Sequence, residues 1–65
     1  MDMTFGQYLE KRRMEIAKRL LRETDISIGD VAERVGYSDQ TYFTVCFRKN
    51  MKMTPMQYRT GEKNT

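Results

Sequence analysis

Residues 27–50 read SIGDVAERVGYSDQTYFTVCFRKN, and this run restricts the fold more than any other part of the chain. Ile28, Val31, Ala32 and Val35 recur at i, i+3, i+4 and i+7, which makes one apolar face of a short helix over 28–35. Ser27 before that face and Asp30 three residues on have the spacing of a capping box, and Ile26 with Val31 that of a hydrophobic staple. Gly36 supplies a helix stop, because glycine enters the left-handed region without steric cost. Ser38 is placed to cap the next helix, over 39–50, with Asp39 at its positive end. Phe43, Cys46, Phe47 and Asn50 form the inner stripe of that second helix. Helix, glycine-containing turn and second helix make a helix-turn-helix pattern, and the small Ala32 suits the close crossing it needs.

The rest of the chain must complete a core around this pair. Sixty-five residues allow one small domain, here 1–65, with little stability to spare. Thr4 and Gln7 read as a capping box that opens a long helix over 5–23. Phe5, Leu9, Ile16 and Leu20 fall on one stripe, flanked by Tyr8 on one side and by Met14, Ala17 and Leu21 on the other. At about 100° per residue these positions cover over half the circumference, more than a helix with one neighbour needs. The excess predicts a second neighbour, faced by Met14 and Leu21. Arg13 lies inside the apolar arc, so its head is expected to reach a carboxylate or carbonyl at the edge. Thr54-Pro55, a cap followed by proline at the first helical position, opens a short helix over 55–60. Tyr58 is expected to lay its ring on the core. Met1 to Met3 are expected to be disordered, and the tail from Gly61 to fray. With no strand signal, the fold class is all-α.

Composition excludes several functions. The chain has no histidine and one cysteine, Cys46, so it can form no internal disulfide and no cysteine metal cluster. The stripe position of Cys46 marks it as a buried apolar residue. No paired acid–base constellation and no glycine-rich phosphate loop occur, so no catalytic residue, metal or cofactor is assigned. No apolar run is long enough to span a membrane, and the start is too polar for a secretory signal; the expected compartment is the cytoplasm. Charge is distributed unevenly. Residues 1–36 hold seven Lys/Arg against seven Asp/Glu, and 37–65 hold five against two. The formal +3 therefore lies on the second motif helix and beyond, where an electrostatic footprint for nucleic acid would be.

The inner stripe leaves Thr41, Thr44, Val45 and Arg48 pointing outward, with Gln40 at the flank of the first turn. Gln pairs with adenine, Arg with guanine, and Thr or Val methyls meet the thymine methyl, so these are the candidate base readers. Candidate phosphate contacts are Tyr42 and Lys49 at the other flank and the helix N-terminus at Ser27 and Ile28. The start of the short helix, with Lys52 and Arg59, completes the set.

These residues also carry a family resemblance. TFGQYLEKRRMEIAKRLL, then VGYSDQTYF with a later FRK, then T-P-x-x-Y-R, closely resemble the DNA-binding domain of the AraC/XylS family of bacterial transcription regulators. The resemblance spans Thr4 to Arg59. It implies a linker helix over 5–23, a homeodomain-like three-helix core, double-stranded DNA as partner, and a further N-terminal helix-turn-helix subdomain beside the linker helix. By position it implies base-facing Gln40, Thr41, Thr44 and Val45, with Tyr42 and Arg48 near the backbone or groove edge. Two residues depart from the family pattern. Lys52 stands where glycine is usual, and a left-handed Lys costs on the order of 1 kcal/mol, so a rearranged helix exit is expected. Val45 often has a polar or basic counterpart, so its contact here is apolar. The rival reading is a protein-interaction module that docks RNA polymerase or a partner helix through Met14 and Leu21 of the long helix.

Overall fold

The computed structural model describes residues 3–61, which form helices and no strand. The helices are α1 (Phe5–Glu23), α2 (Ile28–Arg34), α3 (Gln40–Met51) and α4 (Pro55–Thr60). The expectations for Met1, Asp2 and the tail beyond Gly61 lie outside the described residues.

Local chemistry sets the helix ends. The Thr4 hydroxyl accepts from the Gln7 N–H at 3.0 Å, and the Gln7 carboxamide accepts from the Thr4 N–H at 3.1 Å. Thr54 and Gln57 repeat this box around Pro55. Ser27 accepts from the Asp30 N–H at 3.0 Å. At α3 the expected cap moves by one residue. Asp39, not Ser38, is the N-cap, and its carboxylate accepts from the Thr41 N–H at 2.9 Å. The carboxylate is the better acceptor at a positive helix end, so it takes the capping position. α2 ends at Arg34, one residue short of the expected span, with Val35 as its C-cap. Beyond it Gly36 (φ 104°) completes a Schellman turn, with Tyr37 N–H on the Ala32 carbonyl at 2.8 Å and Gly36 N–H on that of Glu33 at 3.1 Å.

The core joins Met14, Ala17 and Leu21 of α1 to Ile28, Val31, Ala32, Val35, Tyr37, Phe43, Cys46 and Phe47. This corrects the reading of α1. Met14 and Leu21 are each 1% exposed and belong to this domain's own core. The apolar residues left open are Phe5 (77% exposed), Tyr8 (53%) and Ile16 (44%), on the opposite side of the helix. Tyr37, Phe43, Phe47 and Tyr58 follow one another with ring centroids 5.5, 5.9 and 5.7 Å apart, so a file of aromatic rings joins the turn, α3 and α4. Asn50 leaves the inner stripe and is exposed; its amide donates to the Cys46 carbonyl and to Glu10.

Two arginines complete the packing in ways that periodicity does not reveal. Arg13 meets an aromatic face instead of a carboxylate or carbonyl. Its guanidinium lies 5.3 Å from the Tyr37 ring centre, against Gly36. Arg59 reaches back from α4 to the end of α1. Its Nε donates to the Leu21 carbonyl at 3.1 Å, Nη1 to that of Ile26 at 2.6 Å and Nη2 to that of Thr24 at 3.1 Å. One planar donor set thus satisfies carbonyls at the end of α1 and in the connector, groups that a helix terminus otherwise leaves open.

Candidate nucleic-acid interface

α3 turns on the fixed positions of Phe43, Cys46 and Phe47. The two phenylalanines are fully buried, and burial of this size contributes about 1.5–3 kcal/mol per side chain. With that stripe anchored, the opposite face is set by helix geometry. Gln40, Thr41, Val45 and Arg48 are exposed, and Thr44 is half-buried. Thr44, Val45, Arg48 and Lys49 line one shallow depression on this face. Arg48 and Lys49 place two positive charges in the last turn of α3. The face therefore combines amide, hydroxyl, methyl and guanidinium groups on a support held by the core.

The flanking candidates are placed as follows. Tyr42 is 60% exposed and packs its ring 5.7 Å from that of Tyr37. A hydrogen bond with Cys46 and the electrostatic influence of its sulfur, then burial and Glu10, raise the Tyr42 pKa above its ordinary 10.0. The Ser27 hydroxyl is committed to its cap and the Ile28 side chain is buried, so what this end of α2 offers outward is main-chain N–H. Lys49 and Lys52 are exposed. Lys52 keeps the left-handed conformation (φ 65°, ψ 18°) and its N–H closes on the Arg48 carbonyl at 2.8 Å, so the helix exit is not rearranged as expected. Arg59 departs from the phosphate role assigned to it, because its guanidinium is turned onto three main-chain carbonyls.

One neighbour of this face had no signal in the sequence. A Cβ built on Gly29, in the first turn of α2, would stand 3.0 Å from the Gln40 carboxamide oxygen. A glycine near a helix start reads as tolerated, and nothing in its spacing announces a contact eleven residues away. Among the described residues no group of three or more His, Cys, Asp or Glu side chains could hold a metal ion, and no helix is long and apolar enough to cross a membrane.

Comparison with known proteins agrees with this geometry. A family model described as a helix-turn-helix domain matches residues 1–61. The transcriptional activator RhaR of Mannheimia succiniciproducens is 46% identical over 59 residues, covering 91% of this chain and 21% of RhaR. The probable transcription factor PqrA of Proteus vulgaris is 43% identical over 56 residues, covering 86% of this chain and 46% of PqrA. The chain thus spans about a fifth to a half of these relatives. Among solved structures, the C-terminal domain of AraT, a response regulator from Geobacillus stearothermophilus, matches with TM-score 0.89 and 43% identity. That match covers 97% of this chain and 52% of the AraT domain. The C-terminal domain of the response regulator yesN from Fusobacterium nucleatum matches with TM-score 0.87 and 44% identity, over 88% of this chain and 55% of that one. The similarity covers the long helix, the turn and α3 together, and the chain belongs to the AraC/XylS family of helix-turn-helix transcription regulators.

Proposed function

We propose that the chain binds double-stranded DNA sequence-specifically as part of a bacterial transcription regulator, with α3 in the major groove. The observation that carries this reading is the outward face of α3: Gln40, Thr41, Val45 and Arg48 exposed beside Thr44, on a helix fixed by fully buried Phe43 and Phe47. These side chains suit base edges, and early residues of a helix in the groove meet bases while later ones approach the flanking backbone. Tyr42, Lys49, Lys52 and the main chain at Ser27 and Ile28 contact phosphates in this reading, and Arg59 does not. The protein acts in the cytoplasm and is not an enzyme.

The open stripe of Phe5, Tyr8 and Ile16 supports a second part of the reading. It is the surface on which a preceding helix-turn-helix subdomain packs, in place of the face first assigned to Met14 and Leu21. The same stripe favours one alternative, a module that docks RNA polymerase or another helical partner and leaves bases unread. Fluorescence anisotropy of the chain with a labelled duplex separates the two. With about four phosphates neutralised, the log–log salt slope is expected near −3.6. Binding that ignores salt, or no binding to duplex at low salt, overturns the DNA reading.

A further inference from the structure

Gln40 is the first residue of α3, and its side chain folds back over the first turn of α2. The point where a Cβ would stand on Gly29 is 3.0 Å from Gln40 Oε1, 3.9 Å from its Cδ and 3.8 Å from Ser27 Oγ. Ser27 Oγ is at ordinary contact distance and keeps its cap on α2 through the Asp30 N–H, so the one crowded neighbour is the Gln40 carboxamide. Gly29, Glu33, Gly36, Tyr37, Ser38 and Gln40 together line a recess beside this contact. The bare backbone of Gly29 therefore forms the floor on which the Gln40 carboxamide rests. An exposed glutamine otherwise samples many rotamers, and ordering them on binding costs affinity.

We infer that Gly29 is a positioning residue for sequence recognition: its missing side chain lets the Gln40 carboxamide rest against α2 and so sets the direction in which that amide meets a base. The inference rests on the base-reading role proposed for Gln40. Gly29 lies inside a regular helix with no positive φ, so alanine fits its backbone and removes only the space. The crowded atom is the far end of a flexible side chain, so Gly29→Ala is accommodated by displacing the Gln40 carboxamide from its rest by a few tenths of an ångström or more.

The test uses the full-length regulator that carries this chain and a panel of duplexes differing at single base pairs. Gln40→Ala identifies the pair that Gln40 reads, where a bidentate contact gives about 5- to 150-fold discrimination. Gly29→Ala is expected to reduce discrimination at that same pair by about fivefold or more. It should leave the salt slope, the affinity for unrelated duplex and the other base preferences unchanged, with a melting temperature equal to or above the parent's. In the Gln40→Ala background, Gly29→Ala is expected to change nothing further at that pair, as coupled residues require. If Gln40→Ala shifts a preference and Gly29→Ala does not, the positioning role is overturned and the base-reading role stands. A uniform loss on every duplex also overturns it, since that is the mark of a structural defect. If Gln40→Ala shifts no preference, both fall.

Discussion

Replacing Arg59 by alanine should strongly destabilise the domain without removing a DNA contact. The guanidinium makes three hydrogen bonds, of 3.1, 2.6 and 3.1 Å, to half-buried carbonyls of Leu21, Ile26 and Thr24. A hydrogen bond with a charged partner contributes about 1.5–3 kcal/mol. These carbonyls lie close enough to the surface for water to replace part of that, so about 1 kcal/mol each, or about 3 kcal/mol together, is the expected loss. A domain of this size has roughly 3–10 kcal/mol in all. Urea titration followed by far-UV circular dichroism reads the effect directly. With an m-value near 1 kcal/mol/M, the midpoint of Arg59→Ala should fall by about 3 M. Arg59→Lys, which offers a point charge in place of a planar fork, should recover about 1 kcal/mol of it. A midpoint shift under about 0.5 M, with weaker binding to every duplex and a salt slope shallower by about one, would refute the reasoning and return Arg59 to the phosphate contacts.

In the intact regulator, Gln40→Ala and Thr44→Ala should each cost about 1–3 kcal/mol on the best site and much less on random DNA; Arg48→Ala should weaken all duplexes alike and lower the salt slope by about one. Selection from random duplexes that shows no change for any of the three would sink the assignment of this face. Replacing Phe5, Tyr8 and Ile16 together with Gln or Lys should leave the urea midpoint of the chain within about 0.5 M, whereas Met14→Ala or Leu21→Ala should cost about 2–5 kcal/mol. Lys52→Gly relieves a left-handed residue worth about 1–2 kcal/mol, and glycine's looser unfolded chain returns about 0.4–1 kcal/mol; a net gain near 0.5 kcal/mol is expected, and a loss of stability would contradict the strain. Burial first, then the electrostatic influence of Cys46 and Glu10 and a hydrogen bond with Cys46, raise the Tyr37 pKa above 10.0 against a lowering by a hydrogen bond with Arg13. Its contribution to stability is therefore complete below pH 10 and lost as pH rises through the folded pKa, and spectrophotometric titration should show Tyr37→Phe removing a phenol that ionises above pH 10.

The features legible in the sequence are those decided within a turn or two of chain. The boxes at Thr4–Gln7 and Thr54–Gln57, the glycine stop at Gly36 and the stripe of Phe43, Cys46 and Phe47 each follow from local spacing. The inward side of α1 was not legible, because both sides are apolar. Met14, Ala17 and Leu21 compete with Phe5, Tyr8 and Ile16, and only the shape of α2 and α4 against the helix decides between them. Ser38 reads as the cap from its spacing, but its neighbour Asp39 is an equally good cap and takes the position, which moves the helix start by one residue. Arg59 looks like any basic residue in the last turn of a short helix until Leu21, Thr24 and Ile26 are brought beneath it. The outward row from Gln40 to Arg48 follows from the stripe, but the rest of Gln40 on Gly29 depends on how closely α2 crosses α3.

The Arg59 clamp also has a consequence in time. Its acceptors lie 38, 35 and 33 residues earlier in the chain. During synthesis, then, α1, α2 and α3 are all made before the carbonyls at the end of α1 receive their partner. Closing so long a loop costs entropy before any bond repays it. The three helices can therefore form and meet before the connector between α1 and α2 is latched, and that latch closes only after α4 has been made.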